Sequence, residues 1–255
     1  MSNSNGGKRV LVTGGSRGIG SAIVRSLGAS GYDVQFVYHS SEERAKALLQ
    51  ELKTAHEGQN FAAHKVDLGD RAAVDEFAEQ LSEQDTFYGF VHNAGQSYDT
   101  LAALVDQDRA QAIMQVNFWS LTQLITALVR PMTRARCGRI VNIGSVVALR
   151  GTTGNSIYAA TKGAALSYLR TLAIELAPKG VCANTIAPGF VDTDLLSDYA
   201  AYREKIEKQI PVGRYAQVDE VAGLVRYLLS PEAAYVTGSL LPIDGGLMAG
   251  LGGKR

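Results

Sequence analysis

A chain of 255 residues with 46% hydrophobic and 20% charged side chains can bury a core of its own, so it needs neither disulfides nor a structural metal. Its 25 basic and 25 acidic residues cancel, and no run of Lys or Arg can neutralise a nucleic-acid backbone or lie on an anionic membrane, which sets both aside as partners. Cys137 and Cys182 form no C-x-x-C pair, and His39, His56, His64 and His92 show no ligand spacing; the thiols suit a reducing compartment and no metal site is expected.

Residues 1–7 are polar and glycine-rich, with no apolar stretch for a signal peptide or membrane span. They read as a short disordered lead into a cytoplasmic protein. Strand-length apolar runs then alternate with segments of helical period. Strands are predicted at Arg9–Thr13, Asp33–Tyr38, Phe61–Lys65, Gly89–Asn93, Gly138–Ile143, Val181–Ala187 and Ser239–Ile243. Helices are predicted between them, at Gly18–Ser30, Ser41–Glu57, Ala72–Gln84, Arg109–Arg136, Tyr158–Ala177 and Asp219–Leu229. This alternation predicts an α/β fold: one Rossmann-type domain over residues 8–248, a doubly wound parallel sheet of about seven strands with helices on both faces. Residues 249–255 form a tail. No linker, repeat or low-complexity segment breaks the series, and the irregular stretch Asp192–Tyr215 is long enough to predict a lid or binding segment.

The first predicted strand runs into Thr13-Gly14-Gly15-Ser16-Arg17-Gly18-Ile19-Gly20 and then a helix. Glycines there let the backbone approach a pyrophosphate, and the helix N-terminus offers it free N–H groups and a positive dipole end. Taken alone, the turn could equally serve chain reversal. The second strand ends Tyr38-His39-Ser40-Ser41, with no carboxylate before Glu42 to hold ribose hydroxyls. Arg17 can instead pair with a 2′-phosphate, so NADP(H) is favoured over NAD. His39 lies either at that phosphate or in solvent.

Tyr158-Ala159-Ala160-Thr161-Lys162 opens a helical segment, placing a phenol and an ammonium on one face at i and i+4. A ketone becoming an alkoxide needs a proton, and the nearby ammonium is expected to lower the phenol's pKa from about 10. Lys162 can also hold the cofactor ribose. Ser145, thirteen positions before Tyr158, follows the fifth predicted strand, where its hydroxyl can bond the carbonyl oxygen. Asn117 is an amide within an apolar helical stretch, where it must find a partner. Ile143-Gly144-Ser145-Val146-Val147 lacks the G-x-S-x-G elbow of a serine hydrolase.

The T-G-x-x-x-G-x-G turn, Asn117, Ser145 and Tyr158-x-x-x-Lys162, in this order, resemble the short-chain dehydrogenase/reductase family. The resemblance runs from Arg9 to about Gly246. It implies that Asn117, Ser145, Tyr158 and Lys162 are catalytic, with Asn117 bridged to the lysine by water. It also places Asp67 and Leu68 at the adenine, Asn93, Ala94 and Gly95 beside the cofactor, and Pro188, Gly189, Val191 and Thr193 around the nicotinamide. Within the family the sequence is most similar to 3-oxoacyl-[acyl-carrier-protein] reductases, through Gly138–Val147, Ile210–Arg214 and Tyr235–Gly238. That likeness implies NADPH, an acyl carrier protein presenting the substrate, and a homotetramer. Gln96–Val105 departs from those reductases; of their two docking arginines Arg130 matches one, Ile174 stands at the other, and Arg170 lies one turn away. A reductase of a free ketone, sugar or polyol is the alternative, and a non-catalytic nucleotide sensor on the same fold is the third.

Overall fold

Val10, Leu11 and Val12 are each wholly out of water, as a run of branched apolar side chains must be when a strand is covered on both faces. The computed structural model describes residues 5–193 and 203–250 and makes this run the centre of β1 (Arg9–Thr13). The other strands are β2 (Asp33–Tyr38), β3 (Phe61–Lys65), β4 (Gly89–His92), β5 (Gly138–Ile143), β6 (Val181–Pro188) and β7 (Leu240–Ile243). All pair in parallel, in the order β3-β2-β1-β4-β5-β6-β7. The strand order reverses between β1 and β4, and ligands of such sheets bind at that switch point, outside the carboxyl ends of the strands.

Helices α1 (Gly18–Ala29), α2 (Glu42–Ala55) and α8 (Val218–Leu229) cover one face of the sheet over a core that includes Phe36, Val91, Val141 and Val225. Helices α3 (Arg71–Ser82), α5 (Ser120–Ala135) and α6 (Ser156–Leu176) cover the other, over Leu11, Phe90, Ile140 and Leu169. Local chemistry sets the ends: Asp70 caps α3 by accepting from the N–H groups of Ala72 and Ala73. Gln217 and Glu220 form a capping box on α8.

The single helix predicted at Arg109–Arg136 is three pieces: α4 (Gln107–Met114), a π turn (Gln115–Trp119) and α5. The π turn carries Asn117, whose side chain is drawn into bonds with a neighbouring loop. The stretch Gln107–Ala135 has the length and apolarity of a membrane span. Its apolar stripe is spent on the core, where Leu121, Leu124, Ile125 and Met132 are at most 1% exposed. At the amino end Asn5–Gly7, expected within a disordered lead, form a turn in which the Asn5 amide donates to the Ser30 carbonyl. The rest of that lead, most of the tail and residues 194–202 lie outside the described residues. The remainder of the predicted lid includes a short helix, α7 (Arg203–Glu207).

Candidate active site

β1 ends at Thr13 and the chain turns through Gly14 (φ +66°) to enter α1 at Gly18 (φ +51°). Both angles lie in the left-handed region that glycine adopts freely. α1 has no capping side chain and no acidic residue in its first turn. Its N–H groups and positive dipole end therefore face the switch point unneutralised, as a pyrophosphate requires. A Cβ on Gly20 would stand 2.0 Å from the Gly14 carbonyl oxygen, so that glycine lets the helix pack against the turn.

Across the switch point, Thr13 Oγ1 accepts from the backbone N–H groups of Asn93 and Ala94, each at 3.1 Å. Asn93 Nδ2 donates to the carbonyls of Thr13 and Gly14. These bonds tie the glycine turn to the Asn93-Ala94-Gly95 loop and end β4 one residue earlier than predicted.

A cavity of about 930 Å³ opens at this turn. Gly14, Ser16, Arg17, Gly18, Ile19 and Gly20 line it from β1 and α1, His39 and Ser40 from the end of β2, and Asp67 and Leu68 from the end of β3. Asn93, Ala94 and Gly95 line it after β4, and Pro188, Gly189, Val191 and Thr193 after β6. Ser145, Tyr158 and Lys162 face the same space. Arg17 is exposed and makes no ion pair among the described residues, while Glu42, the first carboxylate after β2, is held by Lys46 at 2.9 Å and Lys65 at 3.1 Å. His39 Nε2 lies 3.5 Å from Asp67 Oδ2. With Arg17 exposed there and Glu42 engaged by two lysines, this end fits a 2′-phosphate better than free ribose hydroxyls.

Tyr158 and Lys162 sit on the first two turns of α6. Lys162 is 4% exposed and its Nζ donates to the Ile143 carbonyl at 2.9 Å. Burial brings its pKa down to about 8. Its ammonium lies 5.6 Å from the Tyr158 ring centroid. Burial pushes the Tyr158 hydroxyl up to about 12; a bond with the Ser145 side chain opposes the rise and the Asp99 carboxylate adds to it. The lowering expected from Lys162 is therefore absent. Desolvation of the phenol dominates, and the ammonium is committed to a strand carbonyl. Ser145 Oγ accepts from the Val147 N–H at 3.3 Å, leaving its own proton free to donate.

Asn117 does not line the cavity. It is wholly buried: its Oδ1 accepts from the Gln96 N–H at 2.8 Å, and its Nδ2 donates to the Gln96 carbonyl at 2.9 Å and to Thr161 Oγ1 at 3.0 Å. The amide clamps the loop after Gly95 to α6. Among the described lid residues, Arg203 makes a two-pronged bond to Asp192, at 3.0 and 2.8 Å, and lies over the Tyr215 ring. Ile206 and Gln209 thereby join the cavity wall.

A family model described as Enoyl-(Acyl carrier protein) reductase matches residues 14–248. A solved structure titled short-chain dehydrogenase/reductase from Serratia marcescens superposes with a TM-score of 0.88 at 35% identity, covering 95% of this chain and 98% of that one. This chain belongs to the short-chain dehydrogenase/reductase family. Curated relatives include the 3-oxoacyl-[acyl-carrier-protein] reductases FabG of Pseudomonas aeruginosa, 39% identical, and Escherichia coli, 37% identical; each alignment covers 94% of this chain and 97% of the relative. A blue fluorescent protein from a metagenomic library, solved in complex with NADPH, matches with a TM-score of 0.88 at 37% identity, covering 95% of this chain and 98% of that one.

Sequence reasoning missed several cavity residues of this short-chain dehydrogenase/reductase. Asp99 and Arg150 belong to loops with no motif, and no local signal marks them. Leu247 and Met248 reach the cavity from beyond β7; an apolar pair just after Gly245-Gly246, near the end of the chain, was the one available hint.

Proposed function

We propose that this enzyme uses NADPH to reduce a 3-oxoacyl thioester, presented by an acyl carrier protein, to the 3-hydroxyacyl product, in fatty-acid, polyketide or polyene-type biosynthesis. The observation that carries the reading is that Tyr158 and Ser145 line the same cavity, the one that begins at the glycine turn. Two neutral donors converging there suit a carbonyl oxygen that gains negative charge. A phenol held near a pKa of 12 stays protonated at neutral pH, which is the form a reduction consumes. The names of the curated relatives support the same substrate class.

NADPH, when bound, supplies the hydride for the ketone carbon. Ser145 donates a hydrogen bond to the ketone oxygen and Tyr158 gives it the proton. Lys162, buried with one bond to Ile143, keeps its remaining N–H groups for the cofactor ribose. Asn117 fixes the Gln96 loop beside them. Arg17, with His39 and Ser40 next to it, holds the 2′-phosphate, and Thr193 and the Val191 backbone hold the nicotinamide amide.

Arg130 and Arg170 are exposed, and neither makes an ion pair among the described residues. Both suit an acidic carrier, whose encounter they would speed at low salt. Trp119, 50% exposed, is apolar surface that a homotetramer would cover. NADPH oxidation should be compared across 3-oxoacyl and 2-enoyl carrier thioesters, coenzyme A thioesters, free ketones and sugars. The 3-oxoacyl carrier thioester is expected to give the highest kcat/KM. A higher value for free ketones or sugars replaces this reading with a general ketone reductase, and NADPH binding without turnover of any of them supports the sensor.

A further inference from the structure

β4 ends on a histidine that the chemistry above leaves unused. His92 is wholly buried, and its Nδ1 lies 3.1 Å from Thr13 Oγ1. That oxygen already accepts from the N–H groups of Asn93 and Ala94. A hydroxyl has two lone pairs and one proton. With both lone pairs taken, the Thr13 proton goes to Nδ1, and the neutral ring must carry its own proton on Nε2.

Nε2 has no protein hydrogen-bond partner. The strand register sets His92 of β4 beside Asn142 of β5, and Asn142 beside Thr185 of β6. The residues two positions earlier on these strands, Phe90, Ile140 and Ala183, pack in the core layer under α5 and α6. Alternation along a strand puts His92, Asn142 and Thr185 on that same face. Both polar atoms of the Asn142 side chain and Thr185 Oγ1 are buried and likewise without protein partners. Four such atoms on three adjacent strands meet the needs of an ordered water, which binds about 2–4 polar groups. From the helix side, the Asn117 backbone carbonyl and the Lys162 ammonium both act on the His92 ring, the first favouring its charged form and the second opposing it; burial and the ammonium prevail and hold the ring neutral at physiological pH.

We propose that His92 is a positioning residue of the active site: its Nε2–H, through a buried water shared with Asn142 and Thr185, holds the Asn117 backbone carbonyl and so fixes the π turn beside Lys162. The inference rests on the reading of Asn117 and Lys162 as site residues. It does not depend on which ketone is the substrate.

Two measurements test it. In protein labelled with ¹⁵N on the histidine rings, NMR at neutral pH should show His92 neutral, with a proton on Nε2 and none on Nδ1. A ring protonated on Nδ1 overturns the inference, and this reading needs no variant to fold. His92→Asn keeps an acceptor where Nδ1 stands but offers no donor at the Nε2 position. On whichever ketone the unmodified enzyme reduces, His92→Asn should lower kcat at least about tenfold, as displacement of site groups commonly does. Its NADPH Kd, read by fluorescence titration, should stay within about twofold, because the Thr13 bond and the glycine turn survive. An unchanged kcat in His92→Asn overturns the inference.

Discussion

Replacing Asn117 with alanine removes a wholly buried carboxamide that makes three hydrogen bonds, to both backbone groups of Gln96 and to Thr161 Oγ1. Each such bond contributes about 1 kcal/mol net, and a buried group left without its partner costs at least as much, so the loss is about 3 kcal/mol. In a chain of 255 residues each kcal/mol moves the melting midpoint by about 2–4 °C. Asn117→Ala should therefore melt about 6–12 °C below the unmodified protein in scanning calorimetry. Since the freed loop carries Gln96 and Ser97 of the cavity wall, kcat should fall as well, while the NADPH Kd, set mainly at the glycine turn, should change little. A variant that melts within about 2 °C of the unmodified protein would refute the clamp, because the three bonds would then be worth nothing net.

Tyr158→Phe should bind NADPH nearly as before but lose at least about a hundredfold in kcat, the usual contribution of general acid catalysis; a Phe variant at full rate would remove the proton donor from the scheme. Arg17→Ala should narrow the preference for NADPH over NADH mainly through KM, since an ion pair present already in the bound state is lost, and equal kcat/KM for the two cofactors in the unmodified enzyme would end the 2′-phosphate assignment. Lys162 titrates near 8 in the folded protein against an ordinary 10.5. Below 8 it is charged in both folded and unfolded states, and the cost of burying that charge is fully present. As pH rises from about 8 to 10.5 the folded protein sheds its proton first, so this group makes the protein more stable while the ammonium that binds ribose disappears. The NADPH Kd measured by titration should accordingly rise above about pH 8, and Lys162→Met should flatten that rise.

The central strands were legible because a parallel strand covered on both faces is apolar along most of its length, and Val10-Leu11-Val12 can hardly be anything else; the edge strands β3 and β7, only partly buried, were found from their place in the alternation with helices. The glycine turn was equally plain, since left-handed angles at Gly14 and Gly18 favour one residue type. Tyr158 and Lys162 could be paired because a helix fixes the geometry of residues four apart. The helix through Asn117 was read as continuous because the π turn obeys a side chain bonded to Gln96, twenty-one positions earlier, and no periodicity records that bond.

What the sequence determined by itself, then, is whatever depends on short separations along the chain: strand and helix identity, the anion-binding turn, the Tyr-x-x-x-Lys face and the missing carboxylate at the end of β2. Only the tertiary structure decided the electrostatics and the hydrogen-bond partners. It raised the Tyr158 pKa where the spacing of Lys162 predicted a fall, turned Asn117 away from the cavity, and set His92, Asn142 and Thr185 side by side from strands about fifty residues apart. Burial and strand register are properties of the packed sheet, and desolvation and buried bonds act only once water has been excluded.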